Sequence, residues 1–168
     1  MQRTMKRIPL TQGKFALVDD EDYEWLMGWK WFAMKKCRGG GFYAGRTDNQ
    51  AKLSTILMHR VILELKSGEL GDHHDGNGLN NMRSNLRKCT RSQNMMNSCK
   101  PKKWRGRKVS SEYKGVRWSP TNKKWRAQIW ANGKSKFIAH CSSEKQAAKE
   151  YDKKAKELFG EFARLNFR

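Results

Sequence analysis

The stretch with the most chemical potential is Asp72-His73-His74-Asp75-Gly76-Asn77, followed by Asn80-Asn81, Arg83, Asn85-Leu86-Arg87 and Asn94. These side chains suit hydrolysis of a phosphodiester. That reaction needs a base to deprotonate water, a cation on the phosphate, and stabilisation of the departing 3′-oxygen. Histidine suits the first task because its ordinary pKa lies near neutrality. One carboxylate and one amide oxygen suit a hard cation such as Mg²⁺, which keeps several waters and draws its other ligands from the phosphate. Adjacent residues on a strand point to opposite faces, so Asp72 and His73 can serve one site only where the strand ends. By themselves the same residues also read as a plain surface loop, Asp75-Gly76-Asn77-Gly78, beside a buried structural histidine.

The elements that must position these groups follow from local pattern. Residues 1–57 form a β-rich lead-in, with short strands over 8–10, 14–18, 29–34 and 42–45. A short helix over 19–27 places Tyr23, Leu26 and Met27 on one side. Trp25, Trp29, Trp31 and Phe32 supply aromatic area for a modest core. Residues 58–65 are helical and carry Ile62, Leu63 and Leu65. A strand then runs into the polar loop, and Leu86–Cys89 returns as a second strand. Thr90 with Gln93 forms a capping box that opens a helix through Asn97. The product is a ββα hairpin over 58–98, which completes a first domain over 1–98.

Residues 99–112 form a basic linker. Its KPKKWRGRK stretch, beginning at Lys100, makes Lys102, Lys103, Arg105 and Arg107 candidates for contact along a nucleic-acid groove. From 113 to 168 the pattern is three strands, over 113–118, 125–130 and 134–140, with turns at 119–123 and at Asn132-Gly133. Ser143 and Gln146 form a second capping box for a helix that runs to Phe159 and stops at Gly160. Ala147, Ala148, Tyr151, Ala155, Leu158 and Phe159 share one helical face. On the middle strand, Trp125, Ala127 and Ile129 face that helix, which leaves Arg126, Gln128 and Trp130 on the opposite face. A row of Arg, Gln and Trp suits a sheet laid in a DNA major groove. The fold class is therefore α+β: a β-rich lead-in with a ββα hairpin, then a three-stranded antiparallel sheet packed on one C-terminal helix.

Charge narrows the partner. The chain carries 16 Lys and Arg against 10 Asp and Glu in residues 1–99, and 20 against 6 in residues 100–168. Such a field selects a polyanion, because each neutralised phosphate releases counterions. An anionic membrane is the weaker rival, since no basic amphipathic helix has a bulky apolar face. No run approaches the ~18 apolar residues of a membrane span, and the N-terminus lacks the apolar core of a secretory signal. The cysteines Cys37, Cys89, Cys99 and Cys141 are scattered, which points to reduced thiols in the cytoplasm and away from structural zinc.

Two resemblances sharpen this reading. Residues 58–97 resemble the HNH endonuclease motif as it stands in phage and intron-encoded homing endonucleases: D-H-x-D-G-N, then N-N, then N-L-R, then a helical Asn, with the His59-Arg60 pair ahead of it. The resemblance implies a ββα-metal hairpin in which His73 is the general base and Asp72 and Asn94 hold one divalent ion, Mg²⁺ or alternatively Mn²⁺. It implies further that Asn85 braces the hairpin and orients the base. Asn94 replaces the second histidine of the family's name, so metal binding is expected to be weak. His74 stands where an apolar residue is usual and is read as non-catalytic. The opening Ile8-Pro9-Leu10 and the Val18-Asp19-Asp20-Glu21-Asp22 segment also resemble the leader of phage proteins of this type.

Residues 113–168 resemble the DNA-binding domain of plant ethylene-response factors, the Apetala type. The match runs from Tyr113-Lys114-Gly115-Val116-Arg117 through Trp125-Arg126-Ala127-Gln128-Ile129 and Ala147-Ala148 to Tyr151-Asp152 and Leu165-Asn166-Phe167. It implies that the sheet meets the major groove and that Arg117, Gln128 and Trp130 touch DNA, with Arg126 on the same face. Ser119-Pro120-Thr121-Asn122-Lys123 departs from the plant turn, so sequence preference does not carry over. Together the two parts imply a phage-encoded, metal-dependent, homing-type DNA endonuclease that acts in the host cytoplasm on double-stranded DNA. A monomer, the favoured state, is expected to nick one strand and a dimer to break both, without a membrane or a small-molecule cofactor. The alternative is a non-catalytic, sequence-specific transcriptional regulator whose hairpin only clamps DNA.

Overall fold

Alternating apolar residues at the start of the chain build an antiparallel hairpin. Strand β1 (Met5–Pro9) pairs with β2 (Phe15–Asp19) from Met5↔Asp19 to Pro9↔Phe15, burying Ile8, Ala16 and Val18 on one face. The computed structural model describes residues 4–36, 40–48, 54–101, 103–104 and 106–167. Helix α1 (Asp20–Met27) follows β2 directly, and its acidic first turn complements the helix dipole. Of the three residues predicted to share its inner side, Leu26 is buried, Tyr23 is half-buried and Met27 is exposed. Asp22 occupies the inner face instead.

Strands β3 (Phe32–Lys35), β4 (Phe42–Asp48) and β5 (Ser54–Leu57) form a second antiparallel sheet in that order. Strand β5 falls where the sequence pattern marked none. Helix α2 (Met58–Ile62) is shorter than the predicted 58–65, because Glu64 turns to a positive φ of 51°. Then come β6 (Leu70–His73), β7 (Leu86–Cys89) and α3 (Arg91–Asn97). Thr90 and Gln93 cap α3 reciprocally: the Thr90 N–H donates to Gln93 Oε1 at 2.8 Å, and the Gln93 N–H donates to Thr90 Oγ1 at 3.2 Å. One core joins these pieces, from Ile8, Ala16, Val18, Leu26, Trp31 and Ala44 to Met58, Ile62 and Leu86. Of the predicted core tryptophans only Trp31 is buried, with its indole N–H on Leu26 O at 2.8 Å; Trp25 and Trp29 are exposed.

The chain divides into two units, Met1–Asn94 and Met95–Arg168. In the second, β8 (Lys103–Trp104) and β9 (Arg107–Lys108) pair antiparallel around Gly106, where an irregular linker was expected. Lys102 and Arg105 lie outside the described residues, and so do the side chains of Lys103 and Arg107, so these four candidate contacts have no described geometry. Strands β10 (Val116–Ser119), β11 (Lys124–Ala131) and β12 (Lys134–Cys141) make a three-stranded antiparallel sheet in chain order. Asn132 and Gly133, with φ of 53° and 71°, close the β11–β12 hairpin as the Asn-Gly pair predicts.

Helix α4 (Glu144–Phe159) lies across the sheet and buries Ala147, Ala148, Tyr151, Ala155 and Phe159. Leu158, expected on that face, is exposed at the edge of the stripe. Ser143 Oγ accepts the Gln146 N–H at 3.1 Å, while the Gln146 side chain bonds Ser142 rather than closing the box. Gly160, at φ 52°, ends the helix and leads into a 3₁₀ turn over Gly160–Phe162. Gly115 has φ 77°, and a Cβ there would strike the Tyr151 ring. The Asn166 N–H donates to the Asp152 carboxylate at 2.8 Å, and its side chain exchanges hydrogen bonds with the Lys114 backbone, so the C-terminal segment closes on the residues that lead into β10.

Candidate functional site

The pairing of β6 with β7 sets Asp72 opposite Arg87 and His73 opposite Leu86. Strand β6 ends at His73, as the use of both residues required. The His74 N–H then donates to Asn85 O and the Gly76 N–H to His73 O, both at 2.8 Å. Asp75 is the hub of the loop that follows. Its Oδ1 accepts the Asn77 N–H at 2.7 Å and Asn85 Nδ2 at 3.0 Å, and its Oδ2 accepts Asn80 Nδ2 at 2.8 Å. Burial opposes the charge on Asp75, but the bonds from Asn80, Asn77 and Asn85 outweigh it and hold the carboxyl below its usual range. Asn85 also accepts the Asp75 N–H at 3.0 Å and donates to Asn80 O at 2.8 Å. Its side chain therefore ties both limbs of the loop together.

Asp72 is buried, and Arg87 donates both Nε (3.0 Å) and Nη2 (2.8 Å) to its Oδ2. Asn94 stands exposed on α3. Among the described residues no group of three His, Cys, Asp or Glu forms that would hold a metal unaided. One carboxylate and one amide oxygen nonetheless fit a hard cation that keeps waters and completes its shell with substrate phosphate. They do not fit a closed structural site.

His73 faces the interior with only 4% of its surface exposed. Its Nε2 lies 3.3 Å from Asn81 Oδ1, and its ring meets His59 edge-on at 4.9 Å and Tyr43 at 5.8 Å between centroids. Burial lowers the His73 pKa; the nearby Lys36 adds to this, while the Asn81 bond and the charges of Asp75 and Asp72 oppose it. Burial also pushes His59 down to about 3, helped by His73, Arg60 and Lys36. Both imidazoles are therefore neutral at neutral pH. Tyr43 is shifted up by burial and by the Asp72 charge. Lys36 closes this side, with its ammonium on Gly76 O at 2.9 Å and over the Tyr43 ring at 4.4 Å. His74, beside this cluster, is exposed.

Sequence reasoning missed how the lead-in grips the loop. The Leu17 N–H donates to Leu79 O at 2.8 Å, and the Asn81 N–H donates to Leu17 O at 2.7 Å. The Arg83 N–H donates to Asp19 Oδ2 at 2.6 Å, and its guanidinium forks onto Asp22 at 2.8 and 2.7 Å. This explains a carboxylate on the inner face of α1. Asp22 is completely buried, and the two-pronged Arg83 bond satisfies it. The acidic run 19–22 was the only signal, and nothing local names its partner 61 residues away.

The sheet of the second unit presents the predicted row. Arg117 pairs with Arg126, and Arg126 pairs with His140. Gln128 pairs with Phe137 and Trp130 with Ser135, all on the face away from α4. Trp130 is 63% exposed. A bulge between Ala127 and Gln128 changes the register, so that Ile138 and Ala139 both turn to the core while Phe137 and His140 join the outer face. Strict alternation puts His140 with Ile138, and so the sequence reading missed both outer residues. The Arg126 guanidinium lies over the Phe137 ring at 5.1 Å, and Phe137 packs on His140 at 4.9 Å. Val116, Ala127, Ile129 and Ile138 pack on the helix side, Ala127 and Ile129 as strand alternation predicts.

Residues 57–96, from the end of β5 into α3, match the HNH endonuclease family. Over 155 residues the chain is 33% identical to an uncharacterized HNH endonuclease of Acanthamoeba polyphaga mimivirus, an alignment that covers 92% of this chain and 76% of that protein. No solved structure matches the chain. A strand that ends on a histidine, a loop braced by asparagines and a capped helix thus coincide with the matched segment, and the chain belongs to the HNH endonuclease family, a family of nucleases that act on DNA.

Proposed function

We propose that this chain is a site-directed, divalent-metal-dependent DNA endonuclease, with β6, β7 and α3 as its hydrolytic hairpin and the β10–β11–β12 sheet as its DNA reader. The setting of His73 carries this reading: a neutral imidazole at a strand end, gripped by Asn81, His59 and Tyr43, beside a loop that Asn85 and Asp75 hold rigid. A general base must be unprotonated when water attacks, and the depressed pKa of His73 keeps its lone pair available at neutral pH. Asp72 and Asn94 would hold the cation, Mg²⁺ or Mn²⁺. When bound, it supplies positive charge to the phosphate and to the departing 3′-oxygen. His73 takes the proton of the attacking water, and Asn85 keeps the loop beside it from shifting.

The second unit supplies the grip on duplex DNA. Arg117 and Arg126 stand directly opposite each other on neighbouring strands, which is unfavourable for like charges unless an anion lies against them. Phosphate contacts position without specifying, so target choice falls to base edges met by Arg126 and Gln128, with Trp130 against sugar or a thymine methyl. The sheet with its single helix is the arrangement that the ethylene-response-factor resemblance implies. One centre per chain cuts one strand, so a monomer nicks. A homing-type role follows if the preferred site flanks the gene, which a footprint on that DNA tests. The viral relative supports action inside an infected cell, and among the described residues no helix is long and apolar enough to cross a membrane.

The ion pair of Asp72 with Arg87 and the burial of His73 favour a second reading, a DNA-binding regulator that does not cut. A supercoiled-plasmid assay with Mg²⁺ separates the two. The wild type is expected to give nicked circles on a plasmid carrying its own locus, and His73→Ala and Asn94→Ala are expected to leave it supercoiled. Binding without relaxation supports the regulator. Cutting by His73→Ala at the wild-type rate removes the base assignment.

A further inference from the structure

His73 and Asn81 are both buried, Asn81 completely. Their side chains meet at 3.3 Å, His73 Nε2 to Asn81 Oδ1. We infer that Asn81 is a positioning residue for His73: its side-chain oxygen accepts the Nε2–H, which fixes the angle and the tautomer of the imidazole. The inference rests on the reading of His73 as the base and adds what orients it and sets its tautomer. A neutral imidazole has one donor and one acceptor nitrogen, and the partner of one fixes the role of the other.

Three observations carry it. The Asn81 main chain is fastened to the lead-in, because its N–H bonds Leu17 O and the Leu17 N–H bonds Leu79 O. Two residues on, Arg83 is held by Asp19 and Asp22, so segment 79–83 is pinned on both sides of Asn81. The Asn81 Nδ2 is buried with no hydrogen-bond partner. A buried amide with an orphaned donor destabilises relative to an apolar side chain of the same size. Its oxygen therefore does something that Leu cannot, and the group it meets is His73. On this account β1, β2 and α1 set the angle and tautomer of the base through one amide, besides supplying core.

The test uses the full chain labelled with ¹⁵N-histidine. Long-range ¹H–¹⁵N spectra of the wild type are expected to show His73 with a protonated Nε2 and a pyridine-type Nδ1. Asn81→Leu, equal in size but without the acceptor, should mix the tautomers. Its kcat for plasmid nicking should fall about 10- to 100-fold, as for other outer partners of site residues, while KM for DNA stays within about two-fold. Asn81→Asp keeps an acceptor oxygen and should restore a single tautomer and most of kcat, a rescue that a purely structural role does not give. Protonation of Nδ1 in the wild type overturns the inference, as does a wild-type tautomer and kcat in Asn81→Leu. Should that variant not fold, the wild-type spectrum and Asn81→Asp still decide. The tautomer is read without cleavage, so an inactive wild type sinks the endonuclease reading and leaves this one separately measurable.

Discussion

The two units place their polar side chains in opposite ways. In Met1–Asn94 the groups assigned to chemistry, except the exposed Asn94, turn inward: His73 against His59, Tyr43 and Asn81, and Asp72 against Arg87. In Met95–Arg168 the groups assigned to binding turn outward, with Arg117 and Trp130 on an open sheet face and apolar packing confined to the helix side. The contrast suits the two tasks proposed for the units. A proton transfer needs one geometry held within a fraction of an ångström, which buried hydrogen bonds enforce. Binding a charged, hydrated double helix needs surface and charge, and it tolerates side chains that reorganise on contact.

The largest effect that would break this contrast is at His73. Substitution His73→Ala should slow nicking by about 10²- to 10⁴-fold, with DNA affinity by gel shift unchanged. An equal loss of affinity would mean that the hairpin is the binding surface and the division of labour is wrong. Next in size, Arg126→Ala with Trp130→Ala should weaken DNA binding by about 1–3 kcal/mol for each base-reading side chain removed. Cleavage at saturating DNA should persist, and unchanged affinity would remove the sheet from recognition.

A smaller effect concerns pH. His59 has a folded pKa of about 3 against 6.5 for the free group, so between those values the unfolded chain binds the extra proton. Stability is therefore full above pH 6.5 and is lost as pH falls below it, by about 1.4 kcal/mol per unit for this residue. His73 shifts in the same direction. Urea denaturation one unit below pH 6.5 should show the loss, and a flat profile would mean that the cluster is open to water. Comparable in size is Asn85→Ala, which removes the brace of the loop and should cost about 1–3 kcal/mol. Calorimetry should place that loss in the transition of the first unit, whereas Gly115→Ala, which drives a Cβ into Tyr151, should lower the second. A single shared transition for both would show that the units do not unfold separately.

Much of this was legible in order along the chain. Strand β7 and the cap of α3 fell where Leu86–Cys89 and Thr90 with Gln93 placed them, because strand alternation and capping are local. The outer face of β11 was readable for the same reason. The miss at Phe137 and His140 came from one extra residue in β12, a bulge that changes face without changing composition. Strand β5 was missed because Ser54–Leu57 lies in a sequence with no alternation to mark it, and it becomes a strand by pairing with β4.

The amino-acid order by itself determined the chemistry on offer, since residue types, turn glycines, caps and charge act over a few positions. It offered a polar cluster of a type suited to phosphodiester hydrolysis, which the family resemblance narrowed to Asp72, His73, Asn85 and Asn94, and it offered the row on β11 as a surface for a polyanion. Only the tertiary structure decided who holds whom. That Asn81 meets His73, that Arg83 reaches back 61 residues to Asp22, and that Asp72 is matched by Arg87 are outcomes of packing. Any buried polar group will take whichever partner the core brings within reach, and no local pattern records that choice.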